Sequence, residues 1–161
     1  MKKIQSFQVD HDKLLEGLYI SRKDHVNDAV LTTYDIRMKV PNAGDYISPK
    51  SAHTLEHLLA TFFRDNDNLK DNVVYFGPMG CQTGMYLILG TPLTPRQLSD
   101  HLIEAMEFVT HFDEELPGSK KIECGQFELH DLEQAKIDAS NYLNILKNIN
   151  DERMTYSYIE E

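Results

Sequence analysis

Alternating apolar and polar residues predict a β-strand over residues 30–40. Every second side chain from Val30 to Val40 is apolar, aromatic or a threonine, and the polar side chains between them are Thr33, Asp35, Arg37 and Lys39. A period of two residues is typical of a strand that buries one face and exposes the other. The pattern therefore predicts a half-buried strand that carries Arg37 on its polar face.

Three further segments have the short apolar runs of β-strands, and we predict strands at residues 73–76, 85–90 and 121–129. The glycine-rich segment 77–84 predicts a turn around Cys81. Cys124 falls inside the last predicted strand, which would hold its thiol rigidly.

Three segments have the spacing of apolar residues that is typical of amphipathic helices. The first covers residues 52–64 and follows Ser48–Pro49, a pair that can start a helix. The second begins after Thr94, where Gln97 completes a capping box. The third begins at Asp131.

The mixed order of these strands and helices predicts an α+β fold, in which a mostly antiparallel sheet packs with about three long helices. A chain of 161 residues is long enough for one domain with a real core. We expect a single domain over residues 1–161, with residues 150–161 as a loosely held tail.

The charge balance narrows the possible partners. The chain has 26 acidic and 16 basic residues and a formal net charge of −10, which disfavours binding to nucleic acids and to anionic membranes. No apolar run approaches 18 residues, and the first residues lack the apolar stretch of a secretory signal. We therefore expect a cytoplasmic protein.

The first predicted helix carries two histidines and a glutamate within about one turn: His53, Glu56 and His57. Residues at i, i+3 and i+4 share one face of a helix, so both imidazoles can bind one cation. The order H-x-x-E-H is that of the inverzincins. Hydrated histidines on an ordinary amphipathic helix would fit the same pattern, and the helix alone leaves both interpretations open.

A catalytic metal usually has three protein ligands and one open position. Cys124 is a candidate third ligand, because a thiolate suits zinc or ferrous iron. Cys81 lies in the predicted turn 77–84, where it is better placed to contact a substrate than to pack in a core. Either cysteine could instead be a small buried side chain. The other histidines have no partners in the sequence and are predicted to lie at the surface or to serve the structure: His11, His25, His101, His111 and His130.

Five segments taken together are more specific than any single motif. They are QSFQVDH (5–11), YDIRMKVPN (34–42), HTLEHLLA (53–60), GPMGCQTGMYL (77–87) and ECGQFELHDLEQAK (123–136). In this order and spacing they closely resemble the S-ribosylhomocysteine lyase family, known as LuxS. The resemblance covers the chain from about residue 4 to residue 147.

The resemblance implies a cytoplasmic homodimer with an α+β fold and with active sites at the subunit interface. It implies one divalent metal per subunit, ferrous iron in the native enzymes and replaceable by zinc or cobalt. The ligands that match the family are His53, His57 and Cys124.

The resemblance also implies roles for other side chains. Glu56 and Cys81 match the acid/base groups of the family. Ser6, His11 and Arg37 match positions that complete the substrate site from the partner chain.

The reaction that the resemblance implies is cleavage of the thioether of S-ribosylhomocysteine. Two carbonyl shifts along the ribose and a β-elimination would give homocysteine and 4,5-dihydroxy-2,3-pentanedione, the precursor of autoinducer-2.

Two stretches depart from the usual family pattern. Residues 75–77 read Tyr-Phe-Gly before Pro78, where family members usually carry an aspartate and a serine. The family aspartate is expected to hold the amino group of homocysteine. Lys39 stands where an uncharged residue is common. These departures identify the chain as a divergent member.

Two alternatives stand beside the lyase. The altered residues 75–77 motivate a metal-containing homologue that acts on a related thioether sugar or serves as a binding module. H-x-x-E-H also occurs in metallopeptidases, but the chain is short for that class and a cysteine ligand would be atypical of it.

Overall fold

A computed structural model describes residues 4–160 of the chain. The strands are β1 (Gly17–Val26), β2 (Ala29–Arg37), β3 (Val73–Pro78) and β4 (Gly84–Leu89), and the helices are α1 (Pro49–Asp65), α2 (Pro95–His111) and α3 (Leu132–Lys147). Short 3-10 helices lie at Gln5–Phe7, Lys70–Asn72 and Asp151–Met154. The two ends of the predicted domain, residues 1–3 and residue 161, lie outside the described residues.

The four strands of the described part form one sheet in the order β1-β2-β4-β3, and all neighbouring strands are antiparallel. An antiparallel sheet with three long helices confirms the predicted α+β fold. β1 was not predicted from the sequence. Its first residues are buried, but its second half contains Arg22, Lys23, Asp24 and His25, which hide any apolar alternation.

The helices begin where their capping residues predict. The Thr94 hydroxyl accepts from the Gln97 amide, and the Gln97 side chain accepts from the Thr94 amide. Asp131 caps α3 through its carboxylate, which accepts from the Gln134 amide. The apolar sides of the helices and the inner face of the sheet share one core. None of the described helices combines the length and the apolar character that crossing a bilayer requires.

β2 is more deeply buried than its alternation predicts. Thr33, Asp35 and Arg37, on the face predicted to be exposed, are all buried. A second, smaller apolar cluster forms on this outer face around Tyr19 of β1, and Tyr156 from the C-terminal region packs against it. The prediction of a half-buried strand was therefore wrong, because later chain segments cover its polar side.

The C-terminal residues are also held more firmly than predicted. Residues 151–154 form a 3-10 helix, and Arg153 donates to the Glu16 carbonyl over 2.6 Å. Tyr158 pairs with Val9 in an isolated antiparallel bridge. The prediction of a loosely held tail was wrong for these residues, since backbone pairing and the partly buried ring of Tyr156 attach them to the sheet.

Residues 121–129, predicted as a strand, form a series of turns instead. The Glu123 and Cys124 amides both donate to the Lys120 carbonyl, which curls the chain, and Ile122 is 93% exposed. The segment pairs with no strand of the sheet, so alternation alone was misleading. Cys124 is therefore presented by a loop and not by a strand.

Lys39, which departs from the usual family pattern, follows β2 and pairs with one residue of α3 and one residue of the loop before α1. Its ammonium lies 3.3 Å from Asp138 of α3 and 2.9 Å from Asp45. Burial lowers the pKa of Lys39, but the two carboxylates raise it, and the net direction is upward. The Ser51 hydroxyl of α1 donates to the same Asp138 carboxylate over 2.6 Å. The network therefore fixes the first turn of α1, directly before the histidine pair.

Replacing Lys39 with methionine should destabilise the fold, because the Asp138 side chain is only 2% exposed and would lose its cation. We expect the free energy of unfolding, measured by chemical denaturation, to fall by about 3 kcal/mol. The control is Lys70→Met, which removes an exposed ion pair with Asp67 and should change stability by less than about 1 kcal/mol. Equal effects of the two substitutions would contradict a structural role for the buried pair.

Candidate metal centre

α1 has an apolar side in the core and a histidine-bearing side that faces a loop. Leu55, Leu58 and Leu59 are fully buried, whereas His53 and His57 are partly exposed. The helix is therefore an ordinary amphipathic element and at the same time a platform for two imidazoles. The two interpretations that the sequence left open are compatible.

The loop after α2 brings a thiol to this platform. Ligand atoms of His53, His57 and Cys124 all lie within 4.8 Å of one another, and the Cys124 sulfur is 3.4 Å from His53 Nε2. All three side chains are half-buried, which limits competition from water without closing the site. Three donors in this arrangement could hold one ion and leave a coordination position open.

Backbone carbonyls orient both imidazoles. His53 Nδ1 lies 2.8 Å from the Leu129 carbonyl, and His57 Nδ1 lies 2.7 Å from the Pro117 carbonyl. A carbonyl only accepts, so each Nδ1 carries the proton and each Nε2 keeps its lone pair for a ligand. This is the tautomer that a metal requires, and it is fixed by the loop that also carries Cys124.

The donor set determines which ions fit. Two neutral imidazoles and one thiolate suit zinc, ferrous iron and cobalt better than the hard ions magnesium and calcium, which prefer oxygen ligands. The cluster therefore fits the type of metal that the sequence resemblance implied.

A cavity of about 490 Å³ lies beside the cluster. His53, Cys124 and Glu56 line it from one side, and Gly80 and Gln82 line it from the turn between β3 and β4. Glu56 thus lies in the same space as the candidate ligands. The cavity is large enough for a small sugar derivative.

Cys81 occupies the tip of that turn and is exposed. Gln82 adopts a left-handed conformation (φ 62°), and its carbonyl accepts from the Ile47 amide, so the turn is anchored to the loop before α1. The Cys81 sulfur lies 3.1 Å from the Thr83 hydroxyl and 3.9 Å from a guanidinium nitrogen of Arg37. The thiol therefore stands next to a fixed positive charge.

Arg37 is buried and is paired mainly with Asp35. Its Nε donates to Asp35 Oδ1 over 3.0 Å, and its second terminal nitrogen donates to Oδ2 over 2.6 Å. The remaining nitrogen donates to the Thr83 hydroxyl over 2.6 Å. Burial lowers the pKa of Arg37, the Asp35 carboxylate raises it, and the net direction is upward.

Ser6 and His11 do not line the cavity beside the cluster. Ser6 lines a separate cavity on the outer face of the sheet, together with Tyr75 and Tyr86. His11 Nδ1 donates to the Val9 carbonyl over 2.9 Å. Within residues 4–160 of this one chain, these two predicted substrate residues are not brought together with the candidate ligands.

His130 was predicted to be structural, but it packs against the candidate ligands. Its ring stacks on His53 with centroids 4.3 Å apart and meets His57 edge-on at 5.0 Å. Its Nδ1 lies 3.2 Å from the Thr54 hydroxyl of α1. Burial, followed by the charges of the two neighbouring histidines, lowers the pKa of His130. The sequence signal for this position was that His130 follows Cys124 by six residues within the segment ECGQFELHDLEQAK (123–136).

Tyr75 and Gly77, in the stretch that departs from the family pattern, are sterically coupled. The Tyr75 hydroxyl and ring carbons lie so close above Gly77 that a Cβ at residue 77 would overlap them. Tyr75 therefore occupies the space that a side chain at residue 77 would take. The departures at residues 75 and 77 therefore depend on each other sterically.

Comparison with known proteins gives a consistent result. A family profile described as S-ribosylhomocysteinase (LuxS) matches residues 4–153. A protein of Borreliella burgdorferi is 44% identical over 156 residues, which cover 97% of this chain and 99% of the relative. Proteins of Finegoldia magna and Porphyromonas gingivalis are 41% and 40% identical, with 97% of this chain and 99% of each relative covered. All three relatives are named S-ribosylhomocysteine lyase.

Gly118 offers a test of how the loop orients His57. Gly118 has a φ of +69°, and a Cβ there would lie 2.8 Å from His57 Nδ1. Gly118→Ala should push the imidazole away from the Pro117 carbonyl and weaken zinc binding about 10- to 100-fold, measured by competition with a chelator.

The matched control is Gly44→Ala. Gly44 has a similarly positive φ of +83°, but nothing lies within 4 Å of a Cβ built there. It reproduces the backbone strain without the contact, so its zinc affinity should equal that of the original protein. Equal zinc affinities of the two variants would mean that the His57 orientation does not depend on this contact.

Proposed function

The chain belongs to the S-ribosylhomocysteinase (LuxS) family, and we propose from this membership that it cleaves S-ribosylhomocysteine to homocysteine and 4,5-dihydroxy-2,3-pentanedione. The second product is the precursor of autoinducer-2. The observation that carries the proposal is the cluster of His53, His57 and Cys124 beside a cavity that Glu56 also lines.

We propose that these three residues hold one divalent metal per chain, ferrous iron in the native protein, with zinc or cobalt as substitutes. When bound, the metal supplies a Lewis acid that stabilises negative charge on the sugar oxygens. The carbonyls of Leu129 and Pro117 keep both imidazoles in the required tautomer. A reducing compartment such as the cytoplasm would preserve ferrous iron and two free cysteines, and we propose that location.

The chemistry consists of proton transfers along the open-chain sugar. Removal of the C2 proton and protonation of C1 move the carbonyl from C1 to C2, and a second transfer moves it to C3. The C4 proton is then acidic. Its loss forms a C4–C5 double bond while the C5–S bond breaks, the electron pair leaves on sulfur, and homocysteine takes up a proton. The resulting enol then loses its hydroxyl proton and gains a proton at C5, which gives the diketone.

Glu56 and Cys81 are the proposed proton carriers. Glu56 lines the cavity from α1, and Cys81 lies between Gly80 and Gln82, which line it from the β3–β4 turn. Two carriers on different elements can serve the sugar from different sides. Each carrier returns the proton that it takes, so the thioether cleavage consumes no external acid or base.

Ser6, His11 and Arg37 are the proposed substrate-binding residues, in a homodimer with active sites at the subunit interface. Ser6 and His11 lie on the N-terminal segment, outside the cavity that Glu56 lines. A second copy of the chain would supply them to this cavity. Arg37 keeps its charge next to Cys81 and is available to stabilise a developing anion.

The test compares two cysteine variants in the presence of S-ribosylhomocysteine. The iron- or cobalt-loaded protein should release homocysteine, measured as free thiol. Cys81→Ala should retain metal but lose at least about 100-fold in kcat, because it removes a proton carrier. Cys124→Ala should lose metal and activity together.

Each result of this experiment tests a different part of the proposal. Full activity of Cys81→Ala would remove Cys81 from the mechanism, and unchanged metal content of Cys124→Ala would remove Cys124 from the ligand set. Absence of thiol release from the metal-loaded protein would rule out the assigned substrate. Tight metal binding without turnover would favour the binding-module alternative.

A further inference from the structure

The end of the chain runs across the outer face of the sheet. Residues 155–159, here named the C-terminal strap, follow the last 3-10 helix and pair with the N-terminal segment. The Asp10 amide donates to the Ser157 carbonyl over 2.8 Å, and the Ile159 amide donates to the Gln8 carbonyl over 2.9 Å. The family profile ends at residue 153, whereas the alignments with the named relatives cover 97% of the chain and extend into the strap.

Tyr156 is the strap residue that reaches into the fold. Its ring stacks on Tyr19 of β1, with centroids 4.7 Å apart and planes within 10°. Its hydroxyl donates to Asp35 Oδ2 over 2.5 Å. Burial, and then the Asp35 charge, raise the pKa of Tyr156 well above its usual value, so the phenol remains a donor at neutral pH.

The Asp35 carboxylate is almost completely inaccessible, with 1% of its side chain exposed. It accepts two hydrogen bonds from Arg37 and one from Tyr156, so its orientation is set from both sides. Charge-assisted bonds of this type are short and directional. The plane of the carboxylate then fixes the plane of the Arg37 guanidinium.

The same guanidinium also contacts Thr83 and Cys81. The Arg37 nitrogen that does not bind Asp35 donates to the Thr83 hydroxyl over 2.6 Å and lies 3.9 Å from the Cys81 sulfur. Thr83 in turn lies 3.1 Å from that sulfur. A continuous chain of polar contacts therefore runs from Tyr156 through Asp35 and Arg37 to Cys81.

We propose that Tyr156 is a positioning residue, which holds the Asp35–Arg37 pair so that the Arg37 charge stays directed at the Cys81 sulfur. The consequence for turnover rests on the proposed function, but the effect on the thiol does not. Through these contacts the strap acts on the thiol that we assign to proton transfer.

Loss of the Tyr156 hydroxyl would act through Asp35. One oxygen of a buried carboxylate would lose a donor, and it would regain one only by rotating or by admitting water. Either change breaks the coplanar pair with Arg37 and moves the guanidinium nitrogen away from sulfur. A neighbouring fixed cation favours the thiolate, which is the reactive form of cysteine, so the Cys81 thiol should become less reactive when the cation moves away.

The test is Tyr156→Phe, which removes one oxygen and keeps the ring that stacks on Tyr19. In the metal-loaded protein, the rate of Cys81 alkylation by iodoacetamide is followed by peptide mass spectrometry, with Cys124 as an internal reference. We expect the Cys81 rate to fall by about three- to tenfold while the Cys124 rate is unchanged. With S-ribosylhomocysteine, kcat should fall by a similar factor.

The matched control is Tyr158→Phe, which removes the hydroxyl of a half-exposed tyrosine in the same strap. It should leave the Cys81 rate unchanged. An unaltered Cys81 rate in Tyr156→Phe, or an equal loss in both variants, would overturn the proposal. If the original protein released no homocysteine, the proposed function would fail, and the alkylation rates alone would still decide the role of Tyr156.

Discussion

The candidate centre depends on the attachment of one irregular loop to one helix. His53 and His57 lie on α1, and Cys124 lies on the loop between α2 and α3. The carbonyls of Leu129 and Pro117 in that region accept from the two imidazoles, so the bonds that orient the ligands also hold the loop in place. Ligand orientation and loop position are therefore fixed together, and the thiol can approach the imidazoles only while both bonds are made. The buried apolar side of α1 provides the rigid base on which this arrangement rests.

The buried ion pair between Asp35 and Arg37 is built differently from the candidate metal centre. The Asp35–Arg37 pair is buried on the outer face of the sheet, where its geometry is set by β2 and by the C-terminal strap. A buried ion pair contributes little net stability, but removal of either partner is strongly destabilising, so the pair is best understood as a device for orientation. It directs one guanidinium nitrogen toward the turn that carries Cys81. The two proposed proton carriers thus differ in support: Glu56 lies on the helix that carries the candidate ligands His53 and His57, whereas Cys81 lies on the β3–β4 turn and contacts Arg37 of the sheet.

Local signals predicted the helices well, because caps such as Thr94 with Gln97 act within one turn of the chain. The H-x-x-E-H spacing likewise predicted a shared helix face, and Cys124 was correctly expected near it. Features that depend on distant segments were missed. Asp35 is covered by a tyrosine 121 residues later, and residues 121–129 curl through backbone hydrogen bonds to the Lys120 carbonyl instead of pairing with a strand. The contact of His130 with both candidate ligands also arises only when α3 packs beside α1.

The central claim is that one metal, held by His53, His57 and Cys124, is required for homocysteine release. The most direct measurement is an anaerobic titration of metal-free protein with ferrous iron, in which the rate of homocysteine release from S-ribosylhomocysteine is recorded at each addition. The account predicts no release without iron, a linear rise in rate, and a plateau at one iron per chain. Release at the full rate from metal-free protein, or a plateau that is not reached at one iron per chain, would contradict it.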